Sequence, residues 1–198
     1  MQQSHRSSGE KGFTLIELLV VIAIVAILAT VLVITLNPAQ LLRQARDSTR
    51  ISDFSSIKSA LSLYLADVAS PALASSSSNC HAHTSSTTTA LGSGCSGRYT
   101  TATTVVTSSA RGVSNGWIPA NLGSISSGAP LSVWPIDPIN NATYFYSYAA
   151  DTTNQTFELD AKMESTRYAG GGSNDVETTD GGSSSTLYEV GTAPGLSF

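Results

Sequence analysis

Residues 13–36 read FTLIELLVVIAIVAILATVLVITL, a long apolar run whose one ionisable side chain is Glu17. As an α-helix these 24 residues reach about 36 Å, at a rise of about 1.5 Å per residue. That exceeds the hydrocarbon thickness of a bilayer, about 30 Å. The run is longer than the apolar region of a secretory signal, about 7–15 residues, and no Ala-x-Ala pattern follows it. Before it stands a short polar stretch, MQQSHRSSGEKG, at residues 1–12. The expectation is a transmembrane helix half over 13–36 behind a removable leader peptide over 1–12. Flanking charge leaves the orientation open, because Arg6 and Lys11 precede the run while Arg43, Arg46 and Arg50 follow it. The paired cysteines and the Ser/Thr-rich, Lys-poor remainder favour a C-terminal part outside the cytoplasm.

Glu17 is out of place in such a run. A charged group at the centre of a membrane helix costs about 2.5–3.5 kcal/mol on insertion scales, and less near an end. Position alone leaves two readings open: an acid that snorkels to the interface, or a paired carboxylate with a role in assembly. Ala23, Ala26 and Ala29 recur at a spacing that lets helices approach closely, although alanine also serves as plain filler.

Pro38 follows the run and can kink a helix by removing a backbone donor. The helical pattern then resumes over 37–70. Phe54, Ile57, Leu61, Tyr64 and Val68 recur at steps of three and four, with Ile51 and Leu65 alongside, as one apolar stripe. Arg43, Arg46, Asp47, Arg50, Asp53 and Lys58 fall mostly on other faces and read as a solvated surface, with Arg43–Asp47 and Asp47–Arg50 at pairing distance. One long helix over about 13–69 is expected, ending near Ala69–Pro71.

Residues 71–198 form the rest, a Ser/Thr-rich loop and a sheet. More than half of 74–109 is Ser or Thr. The two cysteines of the chain, Cys80 and Cys95, lie there and suggest one disulfide. His81 and His83 lie between them, but the spacing matches no common zinc module. Val105–Val106 is a short strand candidate. Thr143–Tyr148 is aromatic and follows the turn-like Asn140–Asn141; Thr156–Met163 places Phe157, Leu159, Ala161 and Met163 on one face and Glu158, Asp160, Lys162 and Glu164 on the other. DTTNQ between them reads as a hairpin loop, and Leu187–Val190 as a third strand. A small antiparallel sheet of about three strands would then cover the helix stripe. Trp117, Ile118, Leu131, Val133, Trp134 and Ile136 would fill the seam. The Gly-rich loop 170–186 carries Asn174, Asp175, Glu177 and Asp180, oxygen donors of the kind calcium takes, without EF-hand spacing.

Composition narrows the function. The formal net charge is −4, and from Pro71 onward Arg98, Arg111, Lys162 and Arg167 face nine acids. That balance gives no support to nucleic-acid binding through a positive field. The chain has three histidines, one of them His5 in the leader, and no Ser/His/Asp or Cys/His arrangement of recognisable spacing. No catalytic site is expected, and the chain does not read as an enzyme.

GEKGFTLIELLVVIAIVAIL closely resembles the N-terminus of type IV prepilins and type II secretion pseudopilins: Gly, then Phe, then Thr-Leu-Ile-Glu-Leu, then an unbroken apolar run. The resemblance implies cleavage between Gly12 and Phe13 by a prepilin peptidase and N-methylation of the new Phe13 amine. Glu17 becomes the fifth mature residue, the family's assembly glutamate, which favours the paired carboxylate. It also implies an α+β pilin fold, a long N-terminal transmembrane and amphipathic helix packed on a small antiparallel sheet. Partners implied are further copies in a homo-oligomeric filament, the peptidase and methylase, the inner-membrane assembly platform and the membrane itself. The subunit would start as a single-pass inner-membrane protein and end in an extracellular or periplasmic filament. WPIDPINNATYFYSY is similar to the Pro-rich turn and aromatic strand of the major pseudopilins. In those proteins a late loop binds calcium, and 170–186 sits comparably, but its acids do not align residue by residue. The alternatives are a minor pilin, a pseudopilin of a secretion or DNA-uptake machine, or an anchored surface adhesin.

Overall fold

The computed structural model describes residues 12–84, 91–193 and 195–198. Residues 1–11 of the expected leader and 85–90 of the Ser/Thr-rich loop lie outside the described residues. Two units compose the chain, one running to Leu41 and one from Leu42 to Phe198.

The first unit is dominated by α1 (Leu15–Leu36). Its span Leu15–Val33 is long and apolar enough to cross a membrane. The apolar side chains are exposed along it, Leu18 at 62% and Leu28 at 59%. Thr30 and Thr35 do not disturb this character, because their hydroxyls donate back to the carbonyls of Ala26 and Val31. The single long helix expected from the sequence is interrupted. Asn37 ends α1 in the left-handed region at φ 40°, and Pro38 opens α2 (Pro38–Asp67). Proline suits a first helical position, where its missing N–H has no partner to lose.

In the second unit α2 buries Phe54, Ile57, Leu61 and Tyr64 of the stripe read from periodicity, together with Ala60, while Val68 lies just past the helix and is partly buried. Each large apolar side chain so buried stabilises by about 1.5–3 kcal/mol. The helix stops at Asp67, whose carboxylate accepts from the N–H and hydroxyl of Ser126.

The α+β class, a long N-terminal helix with a sheet, is as expected, but the sheet is larger and mixed. Its five strands are β1 (Asn79–His83), β2 (Thr104–Ser108), β3 (Ser147–Asp151), β4 (Thr156–Ala161) and β5 (Tyr188–Gly191), in the order β2-β1-β3-β4-β5. β1 and β2 are parallel; the other pairs are antiparallel. β3 begins later than the aromatic run suggested, because Asn141 Oδ1 accepts from the N–H groups of Thr143 and Tyr144 and holds that stretch in a turn. The hairpin between β3 and β4 is closed by Asp151, which accepts from the N–H groups of Thr153 and Asn154.

One face of the sheet packs on α2 through Tyr148, Ala150, Phe157, Leu159 and Ala161, with Trp117, Ile118 and Trp134 in the seam. Val133, expected there, is 47% exposed, while Leu131 and Ile136 are partly buried. The opposite face is also covered. Cys80, Ala82, Phe145 and Ala149 meet Cys95, Tyr99 and Ala102 there, with Phe198 against them. Cys80 and Cys95 are joined as a disulfide, with Cα atoms 6.1 Å apart. It ties β1 to α3 (Ser93–Gly97), a single turn in which Gly94, Cys95 and Ser96 have φ of 60°, 50° and 66°. Gly94 is required: beyond its positive φ, a Cβ there would collide with the Tyr99 carbonyl oxygen.

Candidate functional site

The residues around the expected cleavage point lie ahead of α1. Gly12, Phe13 and Thr14 are outside the helix, and Phe13 is 87% exposed. A Cβ on Gly12 would meet nothing within 4 Å, so packing does not explain the glycine.

Glu17 has a local partner that the sequence contained and periodicity reading passed over. Thr14-Leu-Ile-Glu17 is a capping box, Thr at the N-cap and Glu three residues on. The Thr14 hydroxyl accepts from the Glu17 N–H at 3.3 Å. The Thr14 N–H and hydroxyl both donate to Glu17 Oε2 at 2.9 Å. Two orphan donors at the start of α1 are satisfied this way, and the acid sits at the positive end of the helix dipole. Both bonds fall on Oε2, which leaves Oε1 available to a further donor.

Arg43 and Lys58 are exposed as expected of a solvated face, but Asp47 and Arg50 correct that expectation. Arg50 and Asp47 are fully buried. Arg50 donates from Nε and Nη2 to the two oxygens of Asp137, at 2.7 and 3.0 Å, and from Nη1 to Asp47 at 2.7 Å. Its Nη1 also lies 2.6 Å from Glu164, which Arg46 engages with two further bonds. Asp47 in turn accepts from the N–H groups of Glu164 and Ser165, just past β4. Asp137 additionally caps the N–H groups of Ile139 and Asn140. The network therefore clamps α2 to the Pro-rich turn and the end of β4. The Asp47–Arg50 pair expected on the helix is present, and Arg43 takes part in no ion pair among the described residues. Helical spacing alone could not show that Asp137 and Glu164, so distant in sequence, supply the partners.

The acids of the 170–186 loop are spread over separate tasks. Asp175 accepts from the N–H groups of Gly171 and Thr178 and from the Thr178 hydroxyl. Those bonds hold its carboxyl below the ordinary aspartate range. Glu177 accepts from the N–H groups of Met163 and Gly170, at 3.0 and 2.9 Å. Asp180 accepts from those of Gly182 and Glu189, at 2.9 and 2.6 Å. The loop is thus organised by its own carboxylates. His81 and His83 point to different surroundings: His81 is buried against Tyr148, while His83 lies near the Ser109 carbonyl oxygen and Asn140.

Residues 7–33 match the family model for the prokaryotic N-terminal methylation motif, the prepilin motif of type IV pilins and pseudopilins. No curated protein sequence and no solved structure matches the chain. The motif supports a type IV pilin-like or pseudopilin protein, a structural rather than catalytic class. It implies processing by a prepilin peptidase and assembly into a filament. With the apolar span Leu15–Val33 it is consistent with membrane anchoring before assembly.

Proposed function

We propose that this chain is a structural subunit of a type IV pilus-like filament, matured by cleavage after Gly12 and methylation of Phe13, and assembled through α1. The observation that carries the reading is the coincidence of the methylation motif with an apolar helix whose side chains are exposed among the described residues. In the bilayer lipid covers that surface. In a filament, neighbouring copies of α1 cover it, at about 25 cal/mol per Å² of apolar surface removed from water.

Cleavage leaves a charged amine on Phe13 beside an apolar helix. Buried charges are tolerated in such places when paired, and removing one partner costs about 3–5 kcal/mol. Glu17 Oε1 is the acceptor at that end of α1. An incoming subunit pairs its Phe13 amine with Glu17 of a copy already in the filament, so electrostatics sets the axial register and the apolar residues supply most of the affinity. Glu17→Leu should still insert and still be cleaved, yet leave mature subunit in the membrane at the expense of sedimenting filament. Immunoblots of the two fractions read this out; near-normal filament yield would sink the pairing.

A second reading, a pseudopilin of a type II secretion machine, is favoured by residues 134–148, which are similar to the Pro-rich turn and aromatic strand of the major pseudopilins. Asp137 in that stretch locks the turn onto Arg50 of α2. The location of the filament, cell surface or periplasm, separates the two.

A further inference from the structure

β4 turns Glu158 and Asp160 away from α2, to the face covered by α3, Tyr99 and Phe198. Both are buried, Glu158 at 1% and Asp160 at 0% exposure, and Glu189 of β5 joins them at 2%. One carboxylate oxygen from each of the three lies within 4.8 Å of the others. Register explains the meeting: Asp160 and Glu189 are directly paired across β4 and β5, and Glu158 is two residues back on the same face.

Three buried acids on one face need compensation, and among the described residues the charge of Arg98 opposes only part of theirs, at Asp160. Glu158 accepts from the Phe198 N–H, and Glu189 from the Ser184 N–H and Ser183 hydroxyl. Arg98 lies on the same side of the sheet, but its N–H groups go to the carbonyls of Phe145, Asp160 and Thr143 and to the Ser147 hydroxyl. It forms no ion pair with any of the three among the described residues.

Independent of the acids' proximity, two polar groups here are poorly satisfied. Among the described residues no donor outside the acid cluster bonds either carboxylate oxygen of Asp160, whose one side-chain neighbour is the Glu158 carboxyl, and the hydroxyl of Tyr99, itself only 3% exposed, makes no hydrogen bond. The Tyr99 hydroxyl lies close enough to Asp160 and Glu158 to feel their charge. A buried polar atom without a partner costs about 1–3 kcal/mol, and more when charged. Burial and neighbouring carboxylates hold all three carboxyls above their ordinary ranges, Glu158 at about 7, the neighbour that raises Glu189 being Asp180.

We infer that Glu158, Asp160 and Glu189 form a binding site for a calcium-type divalent cation, with the Tyr99 hydroxyl as a neighbouring oxygen donor. An all-oxygen, carboxylate-rich donor set suits a hard cation. Oxygens up to 4.8 Å apart can share one ion at calcium's ligand distance of about 2.3–2.6 Å. The site joins β4, β5 and the disulfide-bonded α3 region, so an ion there would knit one face of the sheet to its cover. The 170–186 loop borders it through Ser183 and Ser184, which donate to Glu189, but the loop's Asp175 and Glu177 serve backbone N–H groups instead.

The test is equilibrium dialysis of the full-length protein in detergent against radioactive calcium, after chelation, with thermal melts in parallel and magnesium as a comparison. About one calcium per chain is expected at neutral pH, with a raised melting temperature. Asp160→Asn and Glu158→Gln should each weaken binding at least tenfold and abolish the calcium-dependent rise, while Asp175→Asn keeps both. A merely structural role for Asp160 would shift the melt equally with and without calcium, with uptake undiminished. Hydrogen exchange on the unaltered protein covers the case of variants that do not fold: calcium should slow exchange in 156–161 and 188–191. Absence of saturable uptake at millimolar calcium, binding retained in both strand variants, or protection confined to 170–182 would each overturn the site.

Discussion

Thr14 and Glu17 do two jobs with one pair of side chains. In the single chain they cap α1, and in the proposed filament Oε1 of Glu17, which accepts no hydrogen bond from the described residues, receives a neighbour's amine. The capping box was legible in the sequence as Thr-x-x-Glu; its presence means the acid is not bare before assembly. His81 shows the opposite case, a residue whose environment no local pattern foretold. It is 4% exposed, its Nε2 has no hydrogen-bond partner among the described residues, and burial pushes its pKa down from 6.5 to about 4. The folded protein therefore holds His81 neutral while the unfolded chain protonates it below about 6.5. Its contribution is fully present above that pH and is lost as pH falls towards 4, on the order of 2 kcal/mol by pH 5. Glu158, raised to about 7, acts in the other direction over part of this range, so the informative quantity is a difference. Between pH 7 and pH 5 the unaltered protein should lose about 2 kcal/mol more stability than His81→Phe in denaturant titrations. Identical pH dependence would contradict the buried neutral imidazole.

At the scale of elements, the stripe of α2 and the alternation of β4 were readable because each follows from a local period. β5 was nearly so. β1, Asn-Cys-His-Ala-His, was not: its residues are small or polar, and it becomes a strand by pairing with β3 and, in parallel, with β2. The disulfide pairing was foreseeable from two cysteines. With 14 residues between them, the chain-entropy model assigns it about 3 kcal/mol. The buried charges of α2 were misread as a solvated surface, since spacing within a helix says nothing about Asp137 and Glu164. Arg50 pairs with three acids there, one of which, Glu164, it shares with Arg46. Arg50→Met should lower unfolding stability by about 3–5 kcal/mol, because it leaves Asp47 and Asp137 buried without a cation. Lys58→Met, an exposed change on the same helix, should stay within about 0.5 kcal/mol. Urea titrations of both variants check this; a loss below 1 kcal/mol for Arg50→Met would show that the clamp contributes little.

For the whole molecule, the division into an exposed apolar helix and a self-sufficient second unit is what a transfer from lipid to filament requires. The second unit carries its own core, its disulfide and its ion network, so covering α1 by lipid or by neighbouring subunits need not alter it. The exposed apolar helix was visible in the sequence from one uninterrupted run, whereas a boundary between Leu41 and Leu42 was not, since one helix over about 13–69 was expected. The class of filament was not, because abundance and location are properties of the assembly. In the proposed function the processed chain is the material of a filament. Filaments sheared from cells or released from the periplasm should be pelleted, and the N-terminal peptide of their main subunit identified by mass spectrometry. The expected result is sedimenting filament whose subunit begins at N-methylated Phe13. A chain that keeps residues 1–12, or a cleaved chain found in membranes and never in filament, would contradict it.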